Sequence, residues 1–102
     1  MNLEASQGVL SHPLFPLGRL LATPGAIDLL DRTGTNATSL LHRHQCGDFG
    51  DLCASDVQAN RDAILIGARI LSCYEIDTRR APVWIITESG RRVTTILLPS
   101  EY

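Results

Sequence analysis

The chain has 102 residues, of which 44% are apolar and 20% charged. This suits one domain and excludes wholesale disorder, because a folded chain of this size buries roughly two-thirds of its unfolded surface. The formal net charge of −2 lacks the basic excess of a protein that coats nucleic acid through its phosphates. No apolar stretch is long enough to span a bilayer.

All nine basic residues are arginine, whose planar fork suits carboxylates and phosphates. Charge is unevenly spread. His44 to Asp62 carries Asp48, Asp51, Asp56 and Asp62 against Arg61 alone, while Arg69 to Arg92 carries five arginines against Glu75, Asp77 and Glu88. The three cysteines, Cys46, Cys53 and Cys73, form no CxxC pair. With no signal-peptide pattern in Met1 to Gly8, free thiols in a reducing cytoplasm are expected.

Residues 1–13 read as a loose polar tail, and residues 14–102 as one compact domain. A short strand is expected over Gly18 to Ala22, with Pro16 at its start or on an edge. Thr23 caps a first helix, Pro24 suits its first position because no N–H is needed there, and Gly34 stops it. Its expected apolar stripe is Ala26, Ile27 and Leu30. A second helix should run from about Thr38 to Cys46, capped by Asn36 or Thr38 and stopped by Gly47. Ala37, Leu40, Leu41 and His44 share its inner face, so His44 points inward and His42 does not.

Gly47 to Leu52 (GDFGDL) reads as a loop whose aspartates bond nearby N–H groups and whose Phe49 and Leu52 pin it to the core. Ser55-x-x-Gln58 predicts a capping box opening a third helix that ends near Ile66 and Gly67. Val57, Asn60, Ile64 and Ala68 share one face there, with Asn60 the polar exception.

The last third changes to period two. Arg69–Asp77, Pro82–Glu88 and Arg92–Leu98 read as three strands. Ser89-Gly90 predicts a two-residue hairpin turn that sets Glu88 opposite Arg91, Ile86 opposite Val93 and Trp84 opposite Thr95. One hairpin face carries Trp84, Ile86, Val93 and Leu97; the other carries Val83, Ile85, Ile96 and Leu98. Both are apolar, so the hairpin should lie under helices or in a homodimer contact. The expected fold class is α+β: a short strand, three helices, then a three-stranded antiparallel meander that the first strand extends to four.

Three phrases, LGRLLATPGAIDLL, RHQCGDFGDL and VWIITESGRRVTTILLPSEY, resemble a family of small uncharacterised proteins from bacterial plasmids and other mobile elements. That family's pattern reads ATPGA, then RH with GDWG, an acidic-x-x-x-Asn segment, WIIT and TT-LLP-EY. The likeness runs from Leu17 to Tyr102. It departs at Phe49, where the pattern has tryptophan, and at the added Cys46 and Cys53. The resemblance implies a bacterial cytoplasmic setting and a mobile-element context, and brings no established activity.

Three constellations could carry chemistry. His42, His44 and Cys46, with Asp48, Asp51 and Cys53, hold metal-ligand types, but helical spacing sets His44 apart from His42 and Cys46, so no metal or other cofactor is expected. His44, Asp48, Asp51 and Asn60 could form an acid–base site, or a buried network that closes the loop. Ser72, Tyr74, Thr87, Thr94 and Thr95 on the sheet, with Arg79, Arg80, Arg91 and Arg92 at its turns, suggest by fold-level analogy a small metal-independent ribonuclease centred on His44, the arginines holding phosphate. No Gly-rich phosphate loop or GxSxG elbow occurs. The leading expectation is a non-enzymatic accessory domain acting through protein contacts, with the ribonuclease as the alternative and RNA as its substrate.

Overall fold

The computed structural model describes residues 12–102, and the proposed tail over residues 1–13 lies almost wholly outside them. Elements follow in the order β1 (Arg19–Ala22), α1 (Pro24–Thr33), α2 (Ala37–Gln45), α3 (Ala54–Ile66), β2 (Ile70–Ile76), β3 (Ala81–Thr87) and β4 (Val93–Leu97). Single 3-10 turns lie at Ser89–Arg91 and Pro99–Glu101.

The helix ends are chemically specified. Thr23 accepts from the Ala26 N–H at the start of α1, Pro24 follows, and Gly34 ends the helix at φ 65°. Asn36 caps α2 by accepting from the Thr38 N–H. The capping box expected for α3 does not form. Cys53 is its N-cap without a side-chain bond, Ser55 Oγ meets the Cys53 thiol, and Gln58 donates instead to Asp62 one turn on.

The four strands form one mixed sheet in the order β1-β4-β3-β2. β2, β3 and β4 make the antiparallel meander, and β1 joins β4 in parallel. The chain can place β1 there because three helices and the β2–β3 strands separate it from β4, whereas a short hairpin could connect only antiparallel neighbours. The β3–β4 register differs from the expected tight turn. Thr87 pairs with Thr94, Ile86 with Thr95 and Trp84 with Leu97. The connection is wider because Gly90 and Arg91 both take positive φ, 82° and 60°, within the 3-10 turn. The shift is two residues, so every side chain keeps its expected face.

All three helices pack on one face of the sheet. Ala26, Leu29, Leu30, Leu40 and Leu41 meet Tyr74, Ile76, Val83, Ile85 and Ile96. Phe15, Phe49, Ala63 and Ile70 form a second, adjoining cluster. Each fully buried leucine, isoleucine or phenylalanine contributes about 2 kcal/mol of transfer free energy. Ile27, expected in the α1 stripe, is instead 55% exposed, and Leu29 takes the inward place beside Leu30. The helix lies at the rim of the sheet, so its buried arc turns toward the centre and leaves Ile27 outside.

The C-terminal phrase closes the rim. Glu101 accepts from Thr23 Oγ1, from the Gly25 N–H at 3.0 Å and from the Leu98 N–H at 2.8 Å. Its carboxylate therefore sits on the positive end of α1. A Cβ at Gly25 would fall 2.5 Å from that carboxylate, so the glycine is needed for the approach.

Candidate functional site

His44 lies on the inner face of α2 with no solvent exposure. Its Nδ1 is 2.6 Å from Ser72 Oγ on β2, and its Nε2 is 2.9 Å from Thr87 Oγ1 on β3. Thr87 continues to Thr94 Oγ1 on β4 at 2.7 Å, and Thr94 donates to the Leu17 carbonyl at 2.7 Å. That carbonyl can only accept, which orders every proton behind it. Thr94 spends its proton on Leu17, so Thr87 donates to Thr94 and must accept from His44 Nε2–H. With the imidazole neutral, as its burial favours, Nδ1 is bare and accepts from Ser72. The imidazole is neutral, with its proton on Nε2.

Burial, reinforced by the nearby Arg91 guanidinium, pushes His44 down to about 4. Phe15 stands edge-on to the imidazole at 5.2 Å, and Arg91 lies over the Phe15 ring at 5.5 Å. The network joins α2 to three strands and ends at a backbone carbonyl. At neutral pH the imidazole is uncharged and has no solvent exposure.

Asp48, Asp51 and Asn60 do not converge on His44. Asp48 is exposed. It pairs with Arg43 at 2.7 Å, and Arg43 holds its carboxyl below the usual range. Asp48 also accepts from the Gly50 N–H, and its carbonyl receives the Tyr74 hydroxyl at 2.7 Å. Burial raises the Tyr74 phenol well above its ordinary value, so it remains a donor.

Asp51 and Asn60 act on the outer edge of β2. Asn60 Oδ1 accepts from the Leu71 N–H at 3.1 Å, and its Nδ2 donates to the Leu71 carbonyl at 2.7 Å. The Cys73 N–H reaches the Phe49 carbonyl, while the Cys73 carbonyl accepts from the Asp51 N–H. Asp51 Oδ2 accepts from the Glu75 N–H at 3.1 Å. One side-chain amide, one carboxylate and two peptide groups thus occupy the outward positions of Leu71, Cys73 and Glu75. This blocks strand addition at that edge. Gly50 allows the contact, since a Cβ there would lie 2.0 Å from the Cys73 carbonyl oxygen.

The four arginines are divided between two ends of β3. Arg79 and Arg80 lie on the β2–β3 turn, where Arg80 pairs with Glu75 at 2.6 Å. Arg91 and Arg92 lie beyond the far end of β3, about 20 Å away for a strand of this length. Arg91 is committed to the fold: its guanidinium donates to the carbonyls of Ala68 at 2.5 Å and Ala63 at 2.9 Å, capping the last turn of α3. These positions cannot close on one phosphate.

His42 and Cys46 approach each other across one turn of α2, with sulfur–nitrogen distances of 3.8 and 3.9 Å. His44 faces the opposite way. Among the described residues no three His, Cys, Asp or Glu side chains are grouped to hold a metal. The hydroxyl chain of Ser72, Thr87 and Thr94 belongs to the sheet positions singled out in the sequence, but its linkage to His44 required the register. The Thr23–Gly25–Glu101 clasp was missed; its only sequence signal is the pairing of TPG with SEY at opposite ends of the domain.

No family model, curated protein or solved structure matches the chain.

Proposed function

We propose that this chain is a non-enzymatic accessory domain that works by protein contacts, in the bacterial mobile-element setting its phrases suggest. The observation that carries the reading is that the three helices cover one face of the sheet only. The opposite face carries Leu71, Cys73, Trp84 and Thr95 as half-buried cross-strand neighbours around the buried Ile86 and Leu97. Trp84 is half-buried, with Tyr102 edge-on at 5.6 Å and Arg69 over the Tyr102 ring at 5.2 Å. Aromatic and arginine side chains around an apolar row are the usual composition of a protein-binding surface.

The polar residues that would serve catalysis are engaged within the fold, so the ribonuclease alternative gains no support from the geometry. Among the described residues no helix is long and apolar enough to cross a membrane.

The test uses purified protein. A protein partner bound by the wild type should be released by Trp84→Glu with circular dichroism unchanged. Total RNA incubated with the wild type without added metal should stay intact. RNA cleavage that His44→Ala removes from a still-folded domain would overturn the reading, as would partner binding indifferent to Trp84→Glu.

A further inference from the structure

The two edges of the sheet are treated in opposite ways. The β2 edge is closed group by group, as described above. β1, at the other edge, pairs only with β4, and all four of its residues are exposed. The Arg19 and Thr23 N–H groups bond to the Arg92 and Ile96 carbonyls of β4. Alternation along a strand then turns the N–H and C=O of Leu20 and Ala22 outward. Among the described residues nothing pairs with them. Leu20 and Leu21 are 51% and 43% exposed.

We propose that β1 is a dimer seam, on which a second copy of this chain lays its own β1 antiparallel about a two-fold axis through Leu21. The occupant follows from self-complementarity. In this register Leu20 faces Ala22 of the other copy, and each exchanges both of its outward groups, making four interchain hydrogen bonds. Pro24 lacks an N–H and ends the ladder.

The side chains fit the same axis. Leu20 registers with Thr94 and Ala22 with Ile96, so both lie on the helix side of the sheet. A groove of about 340 Å³ opens there, lined by Ala22, Ile27, Leu30 and Ile96 among others. The exposed Leu20 of one copy enters the groove beside Ala22 of the other, and the symmetry repeats the contact.

On the opposite face Leu21 meets Leu21 at the axis. Arg19 stands opposite Thr23 of the other copy, next to the Glu101 carboxylate that Thr23 holds. That is a complementary charge at each end of the seam. The result is one continuous eight-stranded sheet. The seam runs along the β1 edge, with Leu21 on the side of the sheet away from the helices and Trp84 outside the contact; it places the homodimer contact on β1 rather than on the hairpin.

Sedimentation velocity across about 1–100 µM covers the affinity range of a seam this size. The wild type should double its sedimenting mass within that range. Leu21→Asp places two carboxylates on the axis and should leave a monomer. Leu20→Pro removes an outward N–H that the fold itself does not use, so the domain should fold and lose pairing. Circular dichroism and Trp84 emission verify folding of both variants. Trp84→Glu should remain dimeric. A wild type that stays monomeric at the highest concentration overturns the proposal, as does a dimer that survives a folded Leu21→Asp or Leu20→Pro. Loss of the dimer in Trp84→Glu alone assigns the contact to the hairpin face.

Discussion

Acid should weaken this domain before its carboxylates titrate, and His44 is the reason. An unfolded chain holds this imidazole near 6.5, whereas the folded protein holds it at about 4. The unfolded state therefore binds the proton first. The stability that the neutral imidazole contributes is complete above pH 6.5. It falls as pH drops through that value and is exhausted near pH 4. The slope approaches about 1.4 kcal/mol per pH unit, and the gap between 6.5 and about 4 amounts to about 3 kcal/mol. That is a large part of the 5–15 kcal/mol typical of a domain (about 0.1 kcal/mol per residue).

The assay is urea unfolding at half-unit steps from pH 7.5 to 4.5, with His44→Gln as a non-titrating reference. Asp48 and Glu101, whose carboxyls lie below their ordinary values, lose stability only at the acid end of this range. The interval from pH 6.5 to 5 therefore isolates His44. The wild-type curve should fall more steeply than that of the reference by about 1 kcal/mol per unit there. Parallel curves, or an NMR imidazole signal for His44 titrating near 6.5, would refute the proton-ordered network.

Other perturbations read different parts of the fold. Gly50→Ala drives a Cβ into the Cys73 carbonyl and should cost about 3 kcal/mol in thermal or urea unfolding, whereas Gly34→Ala meets nothing within 4 Å and should cost only about 1 kcal/mol for its positive φ. Equal losses would show that β2 is not clasped at Gly50. Asn60→Leu strips both partners from the Leu71 peptide groups; a loss of about 2 kcal/mol is expected, with concentration-dependent light scattering from the opened edge. Glu101→Gln should lower the melting temperature at pH 7, and the difference from the wild type should shrink as the pH falls through and below the ordinary carboxylate range, because only the ionised carboxylate favours the start of α1.

Much of the local structure could be read from residue order alone. Thr23-Pro24 and Gly34 delimit α1, and Asn36 opens α2, because caps act on peptide groups only a few residues away. Period-two patterning assigned β2, β3 and β4 and the faces of their side chains, since alternation survives a register error of two. His44 was placed inward by the same helical arithmetic that places Leu40 and Leu41.

What tertiary structure decided lies between distant segments. Whether β1 joins the sheet in parallel depends on where the helices and the meander after them return the chain, which no local pattern encodes. Ser55 and Gln58 have the letters of a capping box but bond elsewhere, because the chain entering α3 turns at Cys53. His44, Asp48, Asp51 and Asn60 look like one polar set in sequence. Folding sends the first into the core, the second to Arg43 and the other two to the edge of β2. Hydrogen bonds need partners within about 3 Å. Which groups come that close is a property of the packed sheet and helices rather than of spacing along the chain.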